Sequence, residues 1–194
     1  MAKPLCLVTG NANKVREFGE LVNGRFEWIN QKFDVPELQG DPETVAREKC
    51  RRASELYGGP VITEDVSFCV EAWKGLPGVY IKYFLESVGP AGIVRMLEGF
   101  EDKRAYAQCI YAFCERPGDE PKLFVGRCPG KVVPEAGVSQ FGKVSFDAIF
   151  APDADAQGRT FAQMDAPEKN ACSHRGLASA KLSAYFAEQF GWKQ

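Results

Sequence analysis

The sequence predicts an α/β fold: one domain with a mixed β-sheet and flanking helices. Three observations carry this. Strand-like and helical segments alternate β-α-β-α-β through residue 66, the order that lays helices against a sheet. Arg104–Cys114 and Leu123–Val133, rich in β-branched and aromatic residues, then flank the turn-rich Arg116-Pro117-Gly118-Asp119-Glu120-Pro121, which predicts a hairpin. The 194 residues, 45% of them hydrophobic, suffice for a sizeable core but fit two independent domains poorly.

Each element has a local reason. Leu5–Val8 is a short apolar run stopped by Thr9-Gly10-Asn11, a buried strand entering a tight loop. A helix follows from Asn13, with Val15, Phe18 and Leu21/Val22 on one face and Asn23-Gly24 closing it. Phe26 to Phe33 predicts a second strand. Asp41-Pro42 opens a second helix, Asp as N-cap and Pro in the first turn. That helix runs to Tyr57, where Gly58-Gly59-Pro60 ends it, and Val61–Val66 is the next strand. Gly75-Leu76-Pro77-Gly78 breaks the chain, and Tyr80 through Leu97 is helical with an interruption at Gly89-Pro90. Phe146–Phe150 is a further short strand. The last helix spans about Gly176 to Phe190, with Leu182, Phe186 and Phe190 at i, i+4 and i+8.

Composition excludes several classes. The formal charge of −2 is spread along the chain with no basic run, which argues against a nucleic-acid polymer as partner. A single nucleotide needs only a few well-placed cations. Seven cysteines at irregular spacings, without a CxxC, and the single His174 do not assemble a zinc site. They predict reduced thiols in a cytosolic protein. No apolar stretch approaches the roughly 20 residues a membrane helix needs, and the first residues do not form a signal peptide.

Three features point to phosphate chemistry, each with a plainer reading beside it. Strand, Thr9-Gly10-Asn11-Ala12-Asn13-Lys14, helix is an arrangement in which backbone N–H groups face an anion and Lys14 reaches it. It is neither a Walker loop nor a GxGxxG fingerprint, and taken alone it is equally a capped helix with a solvated lysine. In the helix from Pro42 to Tyr57, Ala46, Cys50, Ala53, Leu56 and Tyr57 form an apolar arc opposite Arg47, Glu48, Arg51, Arg52 and Glu55. Lys49 falls inside that arc, so it either snorkels to solvent or meets an anion in a cleft. Glu64-Asp65 lies near the carboxyl end of a strand, where α/β sheets bind ligands. Alternation sends the pair to opposite faces, one for structure and one for metal, with Glu37 as a second carboxylate.

In order along the chain, VTGNANK (8–14), DVPELQG (34–40), EKC around Lys49, GPVITED (59–65), GLPGVYIKYF (75–84), GFEDK (99–103), FDAIF (146–150) and EKNACSHR (168–175) resemble the inosine triphosphate pyrophosphatases, in their eukaryotic branch. The resemblance implies a two-lobed fold with a long mixed sheet and a nucleotide cleft between lobes. It implies hydrolysis of ITP, dITP and XTP to monophosphate and pyrophosphate, a Mg²⁺ cofactor with Mn²⁺ as a substitute, and a cytosolic homodimer. By motif match, Thr9, Gly10, Asn11, Ala12, Asn13, Lys14 and Lys49 hold the triphosphate. Glu37 and Asp65 bind metal, Asp65 also orienting or deprotonating water. Phe146, Asp147, Lys169, His174 and Arg175 surround the base.

Two departures from the family pattern are present. Val66 stands where a small hydroxyl residue is usual. Val144-Ser145-Phe146 precedes Asp147 where aromatic-Gly-aromatic is usual, with Phe141-Gly142 copying half of that pattern farther upstream. A related pyrophosphatase for modified pyrimidine or methylated triphosphates is the rival enzyme reading, opposed by KNACSHR. A nucleotide sensor without turnover would lack a metal carboxylate or a lysine, and none is missing.

Overall fold

The computed structural model describes residues 3–22, 27–36, 38–139 and 145–191. Seven strands and five α-helices are present among them: β1 (Leu5–Val8), α1 (Ala12–Val22), β2 (Trp28–Gln31), α2 (Pro42–Tyr57), β3 (Val61–Val70), β4 (Pro77–Gly78), α3 (Ile81–Met96), β5 (Arg104–Cys114), β6 (Lys122–Val132), β7 (Phe150–Pro152), α4 (Ala166–Cys172) and α5 (His174–Phe190). The strands make one mixed sheet in the order β2-β1-β3-β5-β6-β7, with β4 on β3. Pairing of β1 with β2 and β3 is parallel, and β4 on β3 and β7 on β6 are antiparallel.

Local signals act as expected in several places. Asp41 caps α2 through bonds from the Glu43 and Thr44 N–H groups, and Gly58 ends it in the left-handed conformation. Gly89 breaks α3 internally. Phe18 and Val22 are buried on α1.

Three expectations are corrected. First, β3 continues to Val70, so Glu64-Asp65 sits in mid-strand rather than near its end. Phe68 and Cys69 extend it by pairing with Gly78 and Pro77 of the returning chain. Second, residues 146–150 are not a strand: Asp147–Ile149 form a 3₁₀ turn and β7 begins at Phe150. Third, Leu56 and Phe190, expected on buried arcs, are 57% and 46% exposed. The proposed helix end at Asn23-Gly24, the strand start at Phe26 and the Phe141-Gly142 and Val144 comparison lie outside the described residues.

The chain divides into two compact units, residues 1–65, 110–125 and 178–194 in the first, and 66–109 and 126–177 in the second. In the first, Cys6, Val8, Ala46, Cys50, Ala53, Tyr57, Val61 and Ile110 form a continuous apolar core. In the second the core is aromatic: Phe68, Phe146, Phe150 and Phe161 pack with Ile81, Leu85, Ile93 and Leu97. All seven cysteines are free and all but Cys172 are buried. Among the described residues no helix is long and apolar enough to cross a membrane.

Candidate active site

The residues the motif match assigns to the triphosphate and metal lie after β1, on α2 and in the middle of β3, within the first unit. The Thr9–Lys14 loop is tied from below: the Asn30 amide donates to the Leu7 and Thr9 carbonyls at 2.9 and 3.0 Å. Within the loop, the Asn13 N–H donates to Asn11 Oδ1 at 2.9 Å and the Asn11 N–H to Thr9 Oγ1 at 3.1 Å. Asn11 thereby caps α1, and part of the expected anion-facing N–H set already has side-chain acceptors. Gly10, Asn11 and Ala12 are exposed, and Thr9, Asn13 and Lys14 are half-buried.

Both lysines singled out in the sequence turn inward. Lys14 Nζ donates to the Glu64 carbonyl at 2.8 Å and lies 3.7 Å from its carboxylate, whose side chain is fully buried. Lys49 Nζ donates to Asp65 Oδ1 at 2.6 Å, with side-chain exposures of 18% and 16%. Lys49 thus turns its ammonium to the Asp65 carboxylate instead of extending to solvent. Asp65 Oδ2 is buried and accepts no hydrogen bond among the described residues. Consecutive acidic residues thus take different jobs, as strand alternation requires. Glu64 anchors Lys14, and Asp65 keeps one oxygen unengaged.

Glu37 lies outside the described residues. Among the described residues no group of three His, Cys, Asp or Glu forms a ready metal cage. Mg²⁺ does not need one, since one or two carboxylates suffice when waters and phosphate oxygens complete the octahedron. The buried, unpartnered Asp65 Oδ2 is a hard oxygen donor of the right kind, so the residues present fit such an ion.

The residues the motif match assigns to the base lie in the second unit. Asp147 Oδ2 accepts from Lys169 Nζ at 2.7 Å and from Ser139 Oγ at 3.3 Å. The Asp147 N–H is held by Ser145 Oγ at 3.1 Å. Lys169 is supplied by α4, a helix the sequence reading overlooked. Its signal was present as Asp165-x-x-Glu168: the Glu168 N–H bonds Asp165 Oδ1 at 2.8 Å and Glu168 Oε2 accepts the Asp165 N–H at 3.0 Å. Lys169 also stands over the Phe161 ring at 5.3 Å. His174 packs between aromatic rings, 5.7 Å from Phe146 and 6.0 Å from Phe161.

Phe146 is 6% exposed and stacks on Phe68 at 4.6 Å, so most of its ring belongs to the core. Arg175 is half-buried at the start of α5. Ser173 Oγ accepts the Gly176 N–H at 3.1 Å and caps that helix. Ser139 and Phe161 are the residues sequence reasoning missed, each meeting a named residue eight positions away, Asp147 and Lys169. Ser145, noted in the sequence only as part of a departure from the family pattern, holds the Asp147 N–H two residues on.

Residues 5–185 match the family model described as the Ham1 family. The inosine triphosphate pyrophosphatase of Giardia intestinalis is 53% identical over 183 residues, covering 94% of this chain and 92% of that one. That of Fusarium vanettenii is 46% identical, covering 94% and 95%. Among solved structures, a HAM1 protein from Coxiella burnetii superposes with a TM-score of 0.84 at 27% identity, covering 97% of this chain and 100% of that one. A nucleoside-triphosphatase, dITP/XTP pyrophosphatase, from Mycobacterium abscessus gives 0.74 at 25% identity, covering 93% and 98%.

Proposed function

The chain belongs to the Ham1 family, and from that premise we propose that it hydrolyses deaminated purine nucleoside triphosphates, ITP, dITP and XTP, to monophosphate and pyrophosphate. The observation that carries the chemistry is Asp65, one oxygen gripped by Lys49 and the other buried without a partner. Water adds across the anhydride bridge between the α- and β-phosphates. Its oxygen joins one phosphorus, the bridging oxygen leaves with the other, and its proton passes to Asp65 and on to solvent.

Phosphoryl transfer asks mainly for positioning and charge neutralisation. An ammonium has three donors, so Lys49 can keep Asp65 and still donate to a phosphate oxygen. Lys14 likewise keeps Glu64 and retains donors for the loop. We assign Asp65, with Glu37, to hold Mg²⁺ (or Mn²⁺), which would neutralise phosphate charge and lower the pKa of a bound water. The family resemblance supports a cytosolic homodimer, testable by light scattering as twice the chain mass.

Asp147, Lys169 and Arg175 read the base. Hypoxanthine and xanthine present a 6-oxo acceptor beside an N1–H donor, whereas adenine presents the reverse. The described bonds to the Asp147 carboxylate converge on Oδ2, which leaves Oδ1 to accept N1–H while Arg175 or Lys169 donates to O6. Adenine leaves those groups unpaired at about 1–3 kcal/mol each, so ATP is refused. GTP is excluded at its 2-amino group. The deciding experiment incubates the protein with ITP, XTP, ATP and GTP in Mg²⁺, with and without EDTA. Pyrophosphate and monophosphate should appear from ITP and XTP and vanish with EDTA. Orthophosphate and diphosphate instead would overturn the assignment.

A further inference from the structure

One cation beside the phosphate loop belongs to none of the motifs above. Lys32 follows β2 directly and is exposed, and its side chain lies across Gly10. A Cβ built on Gly10 would stand 2.8 Å from Lys32 Cδ and 3.2 Å from its Cε. Position 10 has no side chain where the lysine stem passes. The ammonium is one bond of roughly 1.5 Å beyond Cε, which holds the charge within about 5 Å of that loop position. Among the described residues no carboxylate or carbonyl holds it, in contrast to Lys14 and Lys49.

The placement of β2 against the loop is fixed. Val8 is in register with Gln31, the Thr9 N–H donates to the Gln31 carbonyl at 3.1 Å, and Asn30 clasps the Thr9 carbonyl. Since β1 lies between β2 and β3, the loop has two flanks. The β3 flank carries Glu64, Asp65, Lys14 and Lys49, where the reacting bond belongs. The β2 flank carries Lys32, roughly two strand spacings of 4.7–4.9 Å away.

We propose that Lys32 is a third cation of the phosphate site and grips the pyrophosphate end of the substrate, the part that leaves. The proposal rests on the phosphate reading of the Thr9–Lys14 loop. Its stem covers the loop while its charge meets the anion, the division of labour long cationic side chains allow. Loss of one charge-assisted contact at an exposed site corresponds to a change on the order of ten-fold in affinity.

The test measures magnesium pyrophosphate and IMP binding by calorimetry, with ITP turnover alongside. Lys32→Met keeps the stem over Gly10 and removes only the charge. It should weaken pyrophosphate about ten-fold and raise KM for ITP similarly, leaving IMP affinity within two-fold, while Lys32→Arg retains most of the binding. Gly10→Ala should weaken pyrophosphate by displacing the stem, and should add nothing in the Lys32→Met background. Unchanged pyrophosphate affinity in Lys32→Met would overturn the proposal. So would equal weakening of pyrophosphate and IMP, which would mean that Lys32 merely shapes the loop. If wild type releases no pyrophosphate from ITP, both this proposal and the functional reading fall. If wild type releases pyrophosphate from ITP and Lys32→Met matches it, only this proposal does.

Discussion

At Asp65 a carboxylate is half neutralised by Lys49 and half unengaged, and the two halves predict different losses. Asp65→Asn keeps the shape and removes the charge we propose receives the water proton, so kcat should fall by orders of magnitude with the fold intact by circular dichroism. Lys49→Met suits the apolar arc beside Cys50 and Ala53, yet it strands Asp65. We expect turnover to collapse and stability to drop by about 1 kcal/mol, the pair being only partly exposed. Near-normal turnover in Lys49→Met would detach that lysine from the reaction. The base side has its own discriminating substitution. Asp147→Asn can present a donor to adenine N1, so the ITP-to-ATP ratio of kcat/KM should shrink. An unchanged ratio would remove Asp147 from base recognition.

The seven-residue α4 and the first turn of α5 approach closely, and one position makes the approach possible. A Cβ on Gly176 of α5 would fall 1.8 Å from the Asn170 carbonyl oxygen of α4. No rotamer change relieves a clash with backbone, so α4 and α5 can approach this closely only with glycine at 176. Gly176→Ala should cost about 1–3 kcal/mol by overpacking and move Lys169, which α4 carries, away from Asp147. Thermal melts and ITP kinetics check both halves, with KM expected to rise more than kcat falls. A variant as stable and active as wild type would show that the helices part without consequence.

For the whole molecule, carboxylates held as anions tie stability to pH. Arg159 bonds Asp155 at 3.0 Å and Glu168 at 3.0 Å, linking the loop after β7 to α4. The Arg159 side chain, followed by its backbone N–H, holds Asp155 below its ordinary value, and the Asp165 N–H followed by Arg159 does so for Glu168. Arg104 holds Asp102 down at about 2. A folded-state pKa below the unfolded one contributes stability that is complete above the ordinary carboxylate range. That contribution is lost as pH falls through the depressed values. The melting midpoint should therefore be flat near neutrality and fall below about pH 4. Arg159→Gln should lower the plateau and make the acid limb shallower, and a limb of unchanged steepness would refute the linkage.

Much of this protein was legible in the residue order because its determinants are local. Asp41, Pro42 and Gly58 bound α2 through bonds reaching only a few residues, and Gly89 interrupts α3 through its own dihedral angles. The ordered motifs likewise singled out Lys14, Lys49 and Asp65, which lie together in the first unit, and Asp147 and Lys169, which pair in the second. What the sequence alone left open depends on contacts between distant segments. Whether Lys49 reached solvent or an anion was decided by β3 carrying Asp65 past α2, and how far β3 extends was decided by its pairing with Pro77 and Gly78. The crossing of Lys32 over Gly10 exists only because parallel pairing of β1 and β2 brings residues 22 positions apart into contact. Hydrogen-bond register is a property of two strands together, and a periodicity read along one of them does not contain it.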